Sequence, residues 1–183
     1  MNASTDPKAE QVIGATRDWV EKVVIGLELC PFARRELVAD RVRFSFTDAA
    51  DEESLLHALA RELRLLLEDP SIETSLLIHP EVLARFADYN AFLDRVDALI
   101  EDMGLDGVFQ AASFHPQYRF DGTALHAAEN YSNRSPYPML HLLREESVAR
   151  AVASYPDVAA IPARNVETLK AMGAAAIRQL IAR

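Results

Sequence analysis

The sequence predicts an α/β fold: a three-layer or two-layer sandwich with a small, mainly parallel sheet of three to four strands and about five helices, all in a single domain over residues 1–183. Three observations support this. Short apolar runs at 42–46, 74–78 and 107–114 read as strands. Between them lie segments of helical period, long enough for the crossover connections that parallel neighbours need. The two later runs stop at the same dipeptide, His79-Pro80 and His115-Pro116.

The first helix starts at Asp6, an N-cap followed by Pro7, and Val12, Ile13, Thr16, Trp19, Val20, Val23, Val24 and Leu27 carry its period to about Cys30. Val42 to Phe46 is a β-branched and aromatic strand. Asp48 or Asp51 caps the next helix, whose stripe is Leu55, Leu56, Leu59, Leu63, Leu66 and Leu67, and Pro70 stops it. Thr74 to Ile78 is the second strand. Val82 to Met103 is helical, with an expected break near Tyr89-Asn90, and Gly104 closes it. Gly107 to Phe114 is the third strand. Beyond a polar stretch, Leu140, Leu143, Val148, Ala151 and Val152 predict a helix, Val158 to Ile161 a fourth strand, and Asn165 the cap of a last helix.

Composition narrows the function classes. A chain of 183 residues, half of them hydrophobic and 26% charged, suits a globule that buries roughly 70% of the surface exposed when unfolded. No apolar run approaches the roughly 20 residues of a membrane span. Met1 to Pro7 lacks the basic start and apolar core of a secretory signal, so a cytoplasmic location is expected. A net charge of −9 opposes nucleic acid and anionic lipid. One cysteine leaves no intrachain disulfide, Cys-Xaa-Xaa-Cys pair or zinc ribbon. Helical zinc-protease, Walker, dinucleotide and nucleophile-elbow signatures are all missing, and no cofactor is indicated.

The candidate chemistry gathers at strand ends. If the strands are parallel neighbours, His79 and His115 reach one edge of the sheet, where open α/β sheets bind ligands, and imidazoles there suit acid, base or metal-ligand roles. The plain alternative is that each ring closes its strand with a backbone hydrogen bond. Gln117 to Tyr137 is a long polar stretch anchored by Tyr118, Phe120, Tyr131 and Tyr137. Asn133, Arg134 and Ser135 precede the expected helix start, where backbone N–H groups attract anions, and His141 and Arg144 are expected three apart on that helix. Ser113 to Leu143 sets Arg119 and Arg134 against Asp121 and Glu129, a neutral patch in an acidic chain. Cys30 reads either as the last residue of the first helix or as the N-cap of a short helix from Pro31, which would make it reactive; otherwise it is a small buried hydrophobe.

Leu29-Cys30-Pro31-Phe32-Ala33, Phe114-His115-Pro116-Gln117-Tyr118 and the run from Asn130 to Glu145 together resemble a bacterial family, domain of unknown function 1415. The resemblance spans nearly the whole chain. It implies a bacterial single-domain protein and brings no activity, cofactor or catalytic residue with it.

The leading expectation is an enzyme for a small anionic metabolite, with His79, His115 and Cys30 in chemical roles and Tyr118, Asn133, Arg134, Ser135, His141 and Arg144 holding the ligand. A second is a non-catalytic binding or regulatory protein using the same pocket. A third is a mononuclear metalloprotein with His79, His115 and either His141 or Cys30 as ligands. Neither nucleic acid nor membrane is an expected partner, and no protein partner is specified.

Overall fold

The structure, a computed structural model, describes residues 6–181. The signal-free reading of Met1 to Thr5 therefore lies outside the described residues. Four strands, β1 (Val42–Phe46), β2 (Thr74–Ile78), β3 (Phe109–Phe114) and β4 (Met139–Arg144), form one sheet in the order β1-β2-β4-β3. β1 and β2 are parallel, whereas β4 is antiparallel to both β2 and β3. The sheet is thus mixed, not mainly parallel. Because β4 alone is reversed, β2 and β3 still run the same way, and their C-terminal ends share one edge.

β4 occupies residues expected to be helical. Its leucines fit either period over so short a run, while Pro136 and Pro138 favour extended backbone just before it. The slot between β2 and β3 offers ladder partners on both sides, and that tertiary gain decides the matter. The helix α5 begins only at Glu145 (Glu145–Ser154). His141 and Arg144 consequently point to opposite faces of the sheet instead of sharing a helix face. The strand expected at Val158 to Ile161 is a 3-10 turn, Val158–Ala160, which leads into α6 (Ile161–Met172). Asn165 lies inside α6 and does not cap it. Gly173, at φ +80°, ends α6 and separates it from α7 (Ala174–Ile181).

The other helices lie where their sequence signals put them but differ at their limits: the helix expected from Val82 starts only at Phe86, after a turn that holds Val82 and Leu83, and the first helix stops short of Cys30. α1 (Pro7–Trp19) is capped by Asp6, whose carboxylate accepts from the Lys8 N–H, and it continues as a π-helical turn, Val20–Ile25. Gly26 ends that turn, where a Cβ would lie 2.3 Å from the Lys22 carbonyl oxygen. A short helix α2 follows (Ala33–Val38). α3 (Glu52–Glu68) carries a capping box between Asp51 and Ser54. α4 (Phe86–Asp102) runs unbroken through Tyr89 and Asn90. No described helix is long and apolar enough to cross a membrane.

Two cores flank the sheet, which makes three layers. Leu55, Leu59, Leu63 and Leu66 of α3 and Tyr89, Phe92 and Val96 of α4 pack on Leu77, Phe109, Leu140 and Leu142. On the opposite face Trp19, Val20, Val23, Leu169 and Ile177 pack on Leu76, Ile78 and Met139. Truncating any one of the wholly buried leucines to alanine costs about 2–5 kcal/mol.

Candidate functional site

His79 and His115 both stand at the shared strand edge, and both rings are fully buried. His79 Nδ1 is 3.2 Å from the Val82 carbonyl, and its ring stacks on Tyr89 with centroids 5.9 Å apart. Its Nε2 has no partner. His115 Nδ1 accepts from the Gln117 N–H at 2.9 Å, so its proton sits on Nε2, which donates to the Leu83 carbonyl at 3.1 Å. The two imidazoles therefore hold down the turn after β2, in which Leu83 adopts φ +59°. Burial, reinforced by His115 nearby, pushes His79 down to about 4, and burial likewise lowers His115. Both rings are neutral at pH 7, and they form a clasp, closed to solvent.

The polar stretch is tied together from within. Arg134 donates from Nε to the Tyr118 carbonyl at 3.0 Å and from Nη2 to the Leu125 carbonyl at 2.7 Å, and its guanidinium lies 4.5 Å above the Tyr131 ring. Asn133 Nδ2 donates to the Ser113 carbonyl, and the buried Ser135 hydroxyl donates to the Tyr137 carbonyl. Asn130 is buried as well and accepts from the Phe120 N–H and the Thr123 hydroxyl. Tyr118 packs against Phe86 and Phe120. Because a strand, not a helix, follows Asn133 to Ser135, these residues meet no helix N-terminus. Outside the loop lies a groove of about 540 Å³ whose wall includes Arg85, Arg119, His126 and Arg134 and no carboxylate.

A different hollow lies on the far face of the sheet. A pocket of about 340 Å³ is bordered by Trp19, Val20 and Val24, the turn holding Cys30 and Phe32, Glu36 of α2, and Val148, Ala151 and Val152 of α5. Its floor is the sheet: Val42, Thr74, Leu76, Gln110, Phe114, His141 and Leu143. Cys30 and His141, drawn from separate stretches of sequence, both line it, and Arg144, three residues after His141 on β4, borders it. Cys30 is half-buried in the turn between the π-helical turn and α2; it neither ends a helix nor caps one, since Phe32 is the N-cap of α2. Most of the lining is apolar, which suits a small organic ligand.

The polar groups of this wall differ in what they have free. Arg144 donates from Nε and Nη2 to the carbonyls of Leu66, Asp69 and Ile72, where it closes the C-terminal end of α3. Glu73 is paired with Arg41, which also approaches Glu36 at 3.5 Å. Trp19 meets Phe114 edge to face at 5.3 Å, and its Nε1 is buried without a partner. The Thr74 hydroxyl has one proton and donates it to the Leu142 carbonyl at 2.6 Å. At 2.8 Å from His141 Nε2 it must therefore accept, which places the ring proton on Nε2. Nδ1 of His141 bears a lone pair and makes no hydrogen bond to protein among the described residues, the ring's one bond being through Nε2. Burial pushes this ring down to about 4, so it too is neutral.

No group of three His, Cys, Asp or Glu side chains placed to hold a metal ion occurs among the described residues. His79 and His115 lie at the strand ends, while His141 and Cys30 line the cavity under the middle of the sheet, so the expected ligand set is not gathered.

The sequence matches the family described as "Protein of unknown function (DUF1415)" over residues 11–179. The chain belongs to the DUF1415 family. None of the curated proteins and none of the solved structures matches it. The DUF1415 span contains all four strands and every residue that lines the cavity. Sequence reading of this DUF1415 chain missed Thr74, Trp19 and Glu36 as cavity residues. Thr74 opens its strand like any β-branched residue, and its hydroxyl gains meaning only through the register that sets β4 beside β2.

Proposed function

We propose that this protein binds a small organic molecule in the sheet-floored cavity, and that Cys30 and His141 are the groups that act on it. One observation carries this reading: Cys30 and His141, far apart in sequence, converge on one largely apolar hollow. A neutral imidazole with an open lone pair is a hydrogen-bond acceptor and a weak base, and a thiol in the same wall supplies a nucleophile. An enzyme is the fuller form of the proposal; a binding protein is the simpler one. A ligand that binds only the folded chain stabilises it by RT ln(1 + L/Kd), with L the free ligand concentration. Toluene should therefore raise the melting temperature of the wild-type chain, and Ala151→Phe, which fills the cavity, should remove that increment. An unchanged melting temperature at saturating toluene counts against the cavity as a ligand site.

The basic groove supports a second reading, that of a small anion such as a phosphate or carboxylate. What favours it is a wall with four basic side chains and no carboxylate in a chain of net charge −9. Pyrophosphate titrated at low salt should shift the amide resonances around Arg119 and His126, and the double variant R119A/H126A should lose those shifts. Shifts that are absent in the wild type, or that persist in the variant, remove this reading.

A further inference from the structure

We propose that the ligand of the cavity is an uncharged, mainly apolar molecule carrying one hydroxyl or N–H donor, which is directed at Nδ1 of His141. The inference rests on the cavity reading above and adds the chemical class of the occupant.

The Thr74 hydroxyl, whose only hydrogen goes to the Leu142 carbonyl, cannot donate to the imidazole, so the tautomer of His141 is dictated by the backbone of its own strand. The free nitrogen is then an acceptor and not a donor. Only a ligand that brings a hydrogen satisfies it; a bare carbonyl or ether oxygen would face a lone pair.

Each charged side chain in the wall already faces an opposite charge or a set of backbone carbonyls within the protein, although Glu36 Oε2 accepts no hydrogen bond. Glu73 pairs with Arg41, Glu36 sits within reach of Arg35 and Arg41, and Arg144 is spent on the carbonyls that end α3. A charge on the ligand would find no free counter-charge in a largely apolar pocket, and burying it there is costly. The basic groove at the strand ends differs, because Arg85, Arg119, His126 and Arg134 line an open surface without a carboxylate.

About 340 Å³ lies near the low end of ligand cavities, which run to about 1,000 Å³, and the walls are aromatic at Trp19, Phe32 and Phe114. A single ring or short branched chain with one polar end fits this description.

Toluene and p-cresol differ by the hydroxyl alone and make the test. Both are titrated calorimetrically into the wild-type chain and into His141→Phe, which keeps a ring of similar size and removes the acceptor. The wild type is expected to bind p-cresol at least as tightly as toluene, because the hydroxyl exchanges water for Nδ1. In H141F the p-cresol affinity should fall by roughly tenfold, the effect of leaving a buried hydroxyl unpaired, while toluene is little affected. A measurement on the wild type alone guards against a variant that fails to fold: the imidazole ¹⁵N signals should show Nδ1 unprotonated and should move with p-cresol but not with toluene. If toluene binds and p-cresol binds more weakly, or if H141F treats the pair as the wild type does, the ligand class is wrong and the cavity reading stands. If neither binds, the cavity reading falls and this inference with it.

Discussion

The Thr74 hydroxyl lies 2.8 Å from Nε2 of His141, on the neighbouring strand, and its single proton is already committed to the Leu142 carbonyl. A side chain at the start of β2 thereby sets the protonation pattern of a ring in the middle of β4. Thr74→Val should release that constraint without emptying the cavity. The His141 ¹⁵N spectrum should then show a mixture of the two neutral tautomers in place of one; an unchanged pattern would mean that Thr74 does not govern the ring.

Acid should destabilise the protein through its buried histidines. His79 and His141 each titrate at about 4 in the fold, below the ordinary value of 6.5. The unfolded chain therefore takes up their protons first, so stability is full above pH 6.5 and is lost as pH falls from 6.5 towards 4. Between pH 7 and 5 the loss is about 2 kcal/mol per ring. Urea unfolding at the two pH values measures it, and His79→Gln, which cannot titrate, should show a shallower dependence than the wild type. An equal slope in both would exclude His79 as a contributor.

Tyr89 ties the ends of β3 and β4 together. Its hydroxyl donates to the Met139 carbonyl at 2.7 Å and accepts from the Phe114 N–H at 3.1 Å, and the ring is wholly buried. Tyr89→Phe should cost about 1–3 kcal/mol in urea unfolding, because two backbone groups lose their partner. Toluene binding on the other face of the sheet should be preserved. A neutral substitution would show that the bridge does not matter to stability.

The strands were legible in the sequence to different degrees, for physical reasons. Val42–Phe46 and Thr74–Ile78 are short β-branched or apolar runs bounded by helix ends and turns, and their limits in the fold are those the pattern implies. Met139–Arg144 is leucine-rich, without β-branched residues, and only the vacant place between β2 and β3 makes it a strand. The His-Pro endings correctly located an edge of the sheet but not the turn from Pro80 to Arg85 that closes over it, since that closure depends on the Val82 carbonyl meeting the nearby His79 ring and the Leu83 carbonyl meeting the ring of His115, distant in sequence. Cys30, His141 and Arg144 stood out singly as reactive or charged residues. That Cys30 and His141 would line one cavity follows from sheet order, which local periodicity does not encode.

Cys30 offers a direct probe of the cavity, being the only cysteine of the chain. N-ethylmaleimide should add once, as read by intact mass, and saturating toluene should slow the reaction. Labelling at the same rate with and without toluene would place the thiol outside the occupied space.

Arg134 should be irreplaceable by lysine. Its planar group spans two carbonyls while lying on the Tyr131 ring, a geometry that a single ammonium does not reproduce. In Arg134→Lys the amides from Gln117 to Asn130 should exchange hydrogen faster than in the wild type while those of β1 and β2 do not. Unchanged exchange in the loop would mean that other contacts hold it.

A crystal structure of the chain with p-cresol tests the central claim most directly. The account predicts density for the ring between Trp19, Cys30 and the floor of the sheet, with its hydroxyl within hydrogen-bonding distance of His141 Nδ1. Density confined to the basic groove, or a cavity that stays empty at saturating p-cresol, would contradict it.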